Sequence, residues 1–282
     1  MSASESDANM MTQDSPHKAF AEERMHEGED DTDVDEVNAE FVEVEVLVKE
    51  SSLVRRKELV KEVKKFLRSG VSRRYLTGHF KISDFGGWDM LRTNVDSLLV
   101  SQEEEAIRGA DLTTAPLKVW VVRLELGGAE VEEIAGGSEE EEVPAAQTLV
   151  LPNVGLQGVW ESLVYDGPVK RDLLNYAFAM LHLSVRGVDS NIVGCNRVVL
   201  LHGPPGTGKT SLCRALAQKL VIRLGNFFTI GQLVEINSHS LFSKWFSESG
   251  KLVQKMFTEI KRLVENPRYY CDMGLTPFIL SF

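Results

Sequence analysis

The clearest chemistry in this chain lies in Gly203, Gly208, Lys209 and Thr210, which fill the pattern G-x-x-x-x-G-K-[ST] within RVVLLHGPPGTGKTSLCRALAQKL, residues 197–220. In this pattern the backbone N–H groups of a glycine-rich loop surround the phosphates of a nucleotide, where larger side chains would obstruct them. The candidate loop comprises Gly203, Pro204, Pro205, Gly206, Thr207, Gly208, Lys209, Thr210 and Ser211. Lys209 is placed to reach the β and γ phosphates of ATP, and the Thr210 hydroxyl to ligate Mg2+. Both flanks agree. Residues 198–201 are an apolar run with the signal of a buried strand, and Leu212, Ala215, Leu216 and Leu220 recur at helical spacing. The loop therefore opens onto a helix N-terminus, whose partial positive charge favours an anion. A chance glycine-rich turn would account for the loop but not for both flanks.

The elements that must position this loop belong to a chain of 282 residues, 43% hydrophobic and 26% charged, which suits one large or two modest globular domains. Its longest apolar runs fall far short of a membrane span, and acids stand where a signal peptide needs a basic and then an apolar start. A soluble intracellular protein with no membrane contact is expected. Cys195, Cys213 and Cys271 share no C-x-x-C spacing, so they read as reduced, ordinary thiols rather than a disulfide framework or a zinc site. The net charge of −11 argues against a general nucleic-acid coat, although local basic segments remain open.

Residues 1–40 are polar and acidic with few large apolar side chains, the composition of a disordered tail. Order is expected from residue 41, where Val42, Val44 and Val46 alternate with Glu43 and Glu45 in the period of a strand with one buried face. A helix should follow, capped by Ser51 or Ser52, with Leu59, Val60, Val63, Phe66 and Leu67 as its apolar stripe. Its Arg55, Arg56, Lys61, Lys64 and Lys65 form either a docking surface for an acidic partner or a solvated face. Trp88, beside the turn 85–88, reads as a core residue. Residues 117–126 have the β-propensity of a second strand, and residues 130–142 are an acidic hairpin tip or a linker. A domain boundary is placed at 143–151. Residues 41–150 would form a small α+β N-terminal domain, 151–268 part of an α/β domain with a parallel sheet, and 269–282 a divergent tail. Helices are expected over 168–183 and 249–265, and a strand over 232–237 that returns from the loop helix as a parallel crossover.

Three stretches together carry a resemblance: GPPGTGKT, the run INSHSLFSKWFSESGKL at 236–252, and VWESLVYD at 159–166. They are similar to the AAA+ ATPases of the pachytene checkpoint protein 2 family, which includes thyroid receptor-interacting protein 13. The resemblance implies a hexameric remodeler that uses ATP to unfold part of HORMA-domain proteins in meiotic chromosome-axis control, meiotic recombination and the spindle checkpoint, in some cases with an adaptor. It implies a nuclear, chromosomal location that extends to the cytoplasm. It also implies that Leu163, Val164 and Tyr165 lie against the adenine, and that Lys244, Trp245 and Phe246 form a substrate-gripping pore loop. An aromatic side chain can grip peptides of varied sequence by apolar contact. Without the resemblance, Trp245 and Phe246 fit a core as well as an exposed grip.

A complete ATPase of this kind needs an acidic pair after a further buried strand, to hold Mg2+ and polarise water. Residues 269–282 read YYCDMGLTPFILSF, with no such pair and no arginine finger. The chain is therefore expected to be truncated before that strand and not to hydrolyse ATP alone, with no catalytic residue of its own assigned. The alternative is a non-enzymatic protein that binds HORMA proteins or an adaptor through residues 41–150. A kinase-like enzyme would share the glycine loop but leave 238–251 unexplained.

Overall fold

The computed structural model describes residues 41–70, 75–76, 78–102, 110–135, 142–186, 194, 198–225, 227, 231–236, 258 and 279–281. The N-terminal part runs β1 (Val42–Val48), α1 (Arg56–Arg68), β2 (Tyr75–Leu76), β3 (His79–Ile82), α2 (Asp89–Asn94), β4 (Val95–Gln102), β5 (Ala110–Asp111) and β6 (Leu117–Val122). Strands β3, β4, β1 and β6 form one sheet in that order, and β2 pairs with β5 apart from it. β4 lies antiparallel to β1, with Val44 opposite Val100, and β6 lies parallel to it, with Val44 opposite Val119.

One face of this sheet receives α1. Leu59, Val63, Phe66 and Leu67 bury against Val42, Val44, Val46, Leu98 and Val100, which the i, i+4 and i, i+2 spacings of the two elements bring to facing surfaces. Phe66 meets Phe85 and Trp88 edge to face at 5.7 and 5.6 Å, so Trp88 is part of this core. The helix starts later than its serines suggest. Arg55 is the N-cap and makes no side-chain cap. Ser52 instead sits buried before it, its hydroxyl donating to Asn94 Oδ1 at 2.8 Å and its carbonyl accepting from Arg123 Nη2 at 2.7 Å. A serine that can satisfy its hydroxyl in the interior is lost to the cap.

The other face of β1 differs from the expected solvent-exposed face. Glu45 is only 8% exposed and Leu47 is buried, because the C-terminal half of a later helix covers them. Alternation identifies a polar face but does not say whether water or a charged partner meets it.

The rest runs β7 (Glu130–Ala135), β8 (Glu142–Leu151), a 3-10 turn (Val154–Leu156), α3 (Val159–Ser162), α4 (Val169–Val185), β9 (Val198–Leu200), α5 (Lys209–Arg223), β10 (Gly231–Ile236) and β11 (Ile279–Ser281). β7 and β8 are antiparallel neighbours, so the acidic stretch belongs to a hairpin rather than a linker. β10 forms at its expected place, but it pairs antiparallel with β8, and the parallel neighbour of β9 is β11. The expected parallel crossover from β9 to β10 is thus corrected: a strand-helix-strand pattern fixes the order of elements, not the edge the returning strand finds. The α/β class stands. β11 comes from the segment read as a divergent tail, whose Ile279 and Leu280 sit opposite Val198 and Val199. The expected helix over 249–265 lies outside the described residues except for Thr258, which is helical. Among the described residues, no helix is long and apolar enough to cross a membrane.

α5 is buried on two sides. Leu212, Leu216 and Leu220 pack on Leu173, Leu174 and Ala177 of α4, while Ile222 meets Leu47 and Val122 of the N-terminal sheet. Four polar contacts tie its last two turns to earlier segments. Gln218 Oε1 accepts from the Asn153 backbone N–H at 2.8 Å, Lys219 pairs with Glu45 at 2.5 Å and Glu161 at 2.8 Å, and Arg223 pairs with Glu43. Burial pushes the Glu45 carboxyl up from its ordinary range, against the pull of Lys219. Burial would pull Lys219 down, yet the two carboxylates outweigh it and hold its ammonium above the ordinary value.

Candidate functional site

The loop that follows β9 ends in Gly208, which caps α5 with φ 80° and ψ 14°. Gly206 has φ 80° as well. In this left-handed region a Cβ clashes with its own backbone, so glycine is the residue that lets the chain turn into the helix here. At Gly208 a Cβ would also lie 3.0 Å from Tyr165 Oη and 3.4 Å from Leu163 Cδ2, whereas at Gly206 it would meet nothing within 4 Å. A test follows from this contrast. Gly206→Ala is expected to lose about 1–2 kcal/mol from backbone strain alone. Gly208→Ala should lose more, because Tyr165 must also move, and urea denaturation of the two variants reads the difference. Equal losses would mean that Tyr165 does not press on the loop.

Lys209 is the first residue of α5 and its ammonium donates to Gly203 O at 3.0 Å and Pro204 O at 2.8 Å. Thr207 Oγ1 donates to Pro204 O at 3.0 Å. These bonds fold the loop back over the helix N-terminus and hold a positive charge at its mouth. Thr210 and Ser211, second and third in the helix, are half-buried, while Gly203, Pro204, Pro205, Gly206 and Thr207 are exposed. The first turn thus has N–H groups without intrahelical partners, with the Lys209 ammonium held beside them, a donor set that suits a polyphosphate.

The segment 163–165 lies beside the loop. Leu163 and Tyr165 are half-buried against it, and Tyr165 Oη donates to Thr207 O and Gly208 O in two long contacts of 3.4 Å. Val164 points away and is 88% exposed. Lys170 was not foreseen in this role. It is buried at the start of α4, its ammonium donates to Leu163 O at 2.9 Å, and the Trp160 ring lies 5.2 Å from it. Lys244, Trp245 and Phe246 lie outside the described residues.

Behind the loop, Cys213 is a buried free thiol, which burial pushes up to about 11, with the Glu235 carboxylate adding to the effect. Glu235 itself is held by Arg214 through bonds of 2.5 and 2.7 Å, fastening β10 to α5. Burial, with a smaller effect from Cys213, likewise raises the Tyr165 phenol. A folded value above the ordinary 9.0 means that Cys213 contributes stability in full below about pH 9 and loses it as pH climbs through 11. At pH 8, alkylation of Cys213 by iodoacetamide in a chain with Cys195 and Cys271 changed to serine is expected to run about 100-fold slower than for a free thiol. Equal rates by mass spectrometry would refute this burial.

Comparison with known proteins agrees with both halves. Residues 199–267 match the family model described as ATPase family associated with various cellular activities (AAA), and residues 38–126 match the TRIP13 N-terminal domain. The pachytene checkpoint protein 2 homolog of Gallus gallus is 45% identical over 228 residues, which are 80% of this chain and 51% of that protein. The Homo sapiens homolog is 43% identical over 228 residues, again 80% and 51%. The structure titled "Structure of C. elegans PCH-2" superposes with a TM-score of 0.61 at 32% identity, covering 81% of this chain and 56% of that one. The chain spans about half the length of the curated relatives it matches. A glycine loop at the mouth of α5, with Leu163 and Tyr165 packed beside it, and matches in both halves lead to one conclusion: the chain belongs to the pachytene checkpoint protein 2 family of AAA ATPases.

Proposed function

We propose that this chain binds ATP with Mg2+ and serves as the recruiting and nucleotide-holding part of a remodeler of HORMA-domain proteins, in meiotic recombination, chromosome-axis control and the spindle checkpoint. The observation that carries the nucleotide reading is the Lys209 ammonium held at the mouth of α5 by Gly203 O and Pro204 O. Phosphate oxygens would compete with those neutral carbonyls for the ammonium, and a charge-assisted bond to an anionic oxygen is the stronger of the two. The loop N–H groups and the helix dipole would share the remaining phosphate charge. Thr210 would hold Mg2+, which when bound neutralises charge between the β and γ phosphates. Leu163 and Tyr165 would border the base.

The N-terminal domain would receive a HORMA-domain protein or its adaptor, six copies would form the ring, and Lys244, Trp245 and Phe246 would grip the substrate chain in its pore. The place of work would be the nucleus, on chromosomes, and also the cytoplasm. Hydrolysis is not assigned to these residues; it needs an acidic pair that holds Mg2+ and positions water. A fluorescent ATP analogue with Mg2+ tests the core of this reading by titration of the full chain. Saturable binding that unlabelled ATP displaces is expected, and no displaceable binding would reject it.

A further inference from the structure

Among the described residues, a buried ion-paired cluster lies at the far end of the helix that starts at the nucleotide loop. α5 has 15 residues and so is about 22 Å long. Lys209 begins it, and Lys219 is buried toward its other end between two carboxylates that come from different places. Glu45 lies on β1, an inner strand of the N-terminal sheet, and Glu161 lies on α3, two residues before Leu163. Leu163 in turn packs on Gly208.

We propose that Lys219 is a positioning residue that yokes the base-side segment and the N-terminal sheet to the phosphate-binding helix, so that nucleotide held at one end of α5 changes the stability of β1 at the other. The inference rests on the nucleotide-binding reading above. A helix moves as a stiff body, so a shift at its first turn reaches its last. A buried ammonium at 2.5 and 2.8 Å from the buried Glu45 and half-buried Glu161 carboxylates cannot part from them without stranding charge in a poorly solvated interior, so the strand and α3 follow the helix. The junction is not packed solid. A cavity of about 280 Å³, lined by Glu45, Leu47, Trp160, Gln218, Lys219 and Ile222 among others, gives the yoke room to pivot. Ile222 against Leu47 and Val122, and Arg223 on Glu43, keep the sheet in contact as it does so.

The test uses the full chain and adenosine 5′-(β,γ-imido)triphosphate with Mg2+, with amide hydrogen exchange read peptide by peptide. In the parent, nucleotide is expected to slow exchange at 203–212 and also over 42–48, where no residue belongs to the loop. In Glu45→Gln, which keeps shape and hydrogen bonding but removes one charge, slowing at 203–212 should persist while the response over 42–48 falls by about threefold or more. Lys219→Met should lose the response at both 42–48 and 161–165; if that variant does not fold, Glu45→Gln decides alone. Slowing over 42–48 that is the same in Glu45→Gln as in the parent overturns the proposal. A parent that responds at 203–212 but not over 42–48 overturns it too and leaves nucleotide binding standing. A parent that binds no nucleotide overturns both.

Discussion

Replacing Lys209 by alanine is expected to weaken Mg–ATP binding by about 100-fold or more. Hydrogen bonds to charged groups contribute roughly 1.5–3 kcal/mol each, and every 1.4 kcal/mol is tenfold in affinity, so two lost phosphate contacts reach that range. The substitution also removes the donor that ties Gly203 O and Pro204 O to the helix mouth, so the loop loses its internal fastening as well as its charge. Arginine should not rescue it. A planar fork on a longer stem does not fit a place shaped for a compact ammonium between two loop carbonyls. The fold should survive, because Lys209 lies outside the Leu212, Leu216 and Leu220 core. Titration with a fluorescent ATP analogue, next to a thermal melt of each variant, separates the two effects. Equal affinity of parent and Lys209→Ala would remove Lys209 from the site.

The same residue explains why the loop was legible in the sequence. Phosphate binding by backbone N–H groups needs glycine at fixed steps and a lysine at the helix start, so chemistry writes itself into residue identity. Strand partners are not written that way. The run 232–237 reads as a strand and becomes β10, but its antiparallel pairing with β8 depends on which edge lies free in three dimensions. Glu43 and Glu45 mislead for a related reason: a glutamate alternating with valines looks the same whether it faces water or Arg223 and Lys219. A signal did exist in α5. Lys219 stands seven residues after Leu212 and three after Leu216, inside the apolar stripe, where a charged residue is out of place unless a partner awaits it. Lys170 gave no such signal. Its role comes from the turn at 163–168, which brings the Leu163 carbonyl within 2.9 Å of its ammonium.

Lys219→Met is expected to destabilise the fold by about 3–5 kcal/mol, the range for removing one partner of a buried ion pair. Methionine fills the volume of the stem but leaves Glu45 and Glu161 facing each other without a cation. The loss should therefore depend on pH. In the variant, burial and the facing Glu161 charge push Glu45 up with no Lys219 to oppose them, so protonation of Glu45 relieves the strain, and the deficit relative to the parent should shrink as pH falls from 8 toward 5. In the parent, Glu45 already has a folded value above its ordinary 4.5, so its contribution is full below that pH and fades as pH rises through the folded value. Lys219 is also raised, above 10.5, so what it contributes is full below that value and is lost only in strong alkali. Neutralising the site throughout, with Glu45→Gln and Glu161→Gln added to Lys219→Met, should recover most of the loss, because no charge is then left buried alone. Urea denaturation of the parent and of the single and triple variants at pH 5 and 8 reads all of this. A single variant as stable as the parent at pH 8 would show that the three groups are solvated, and that the N-terminal sheet is not fastened to the nucleotide helix by charge.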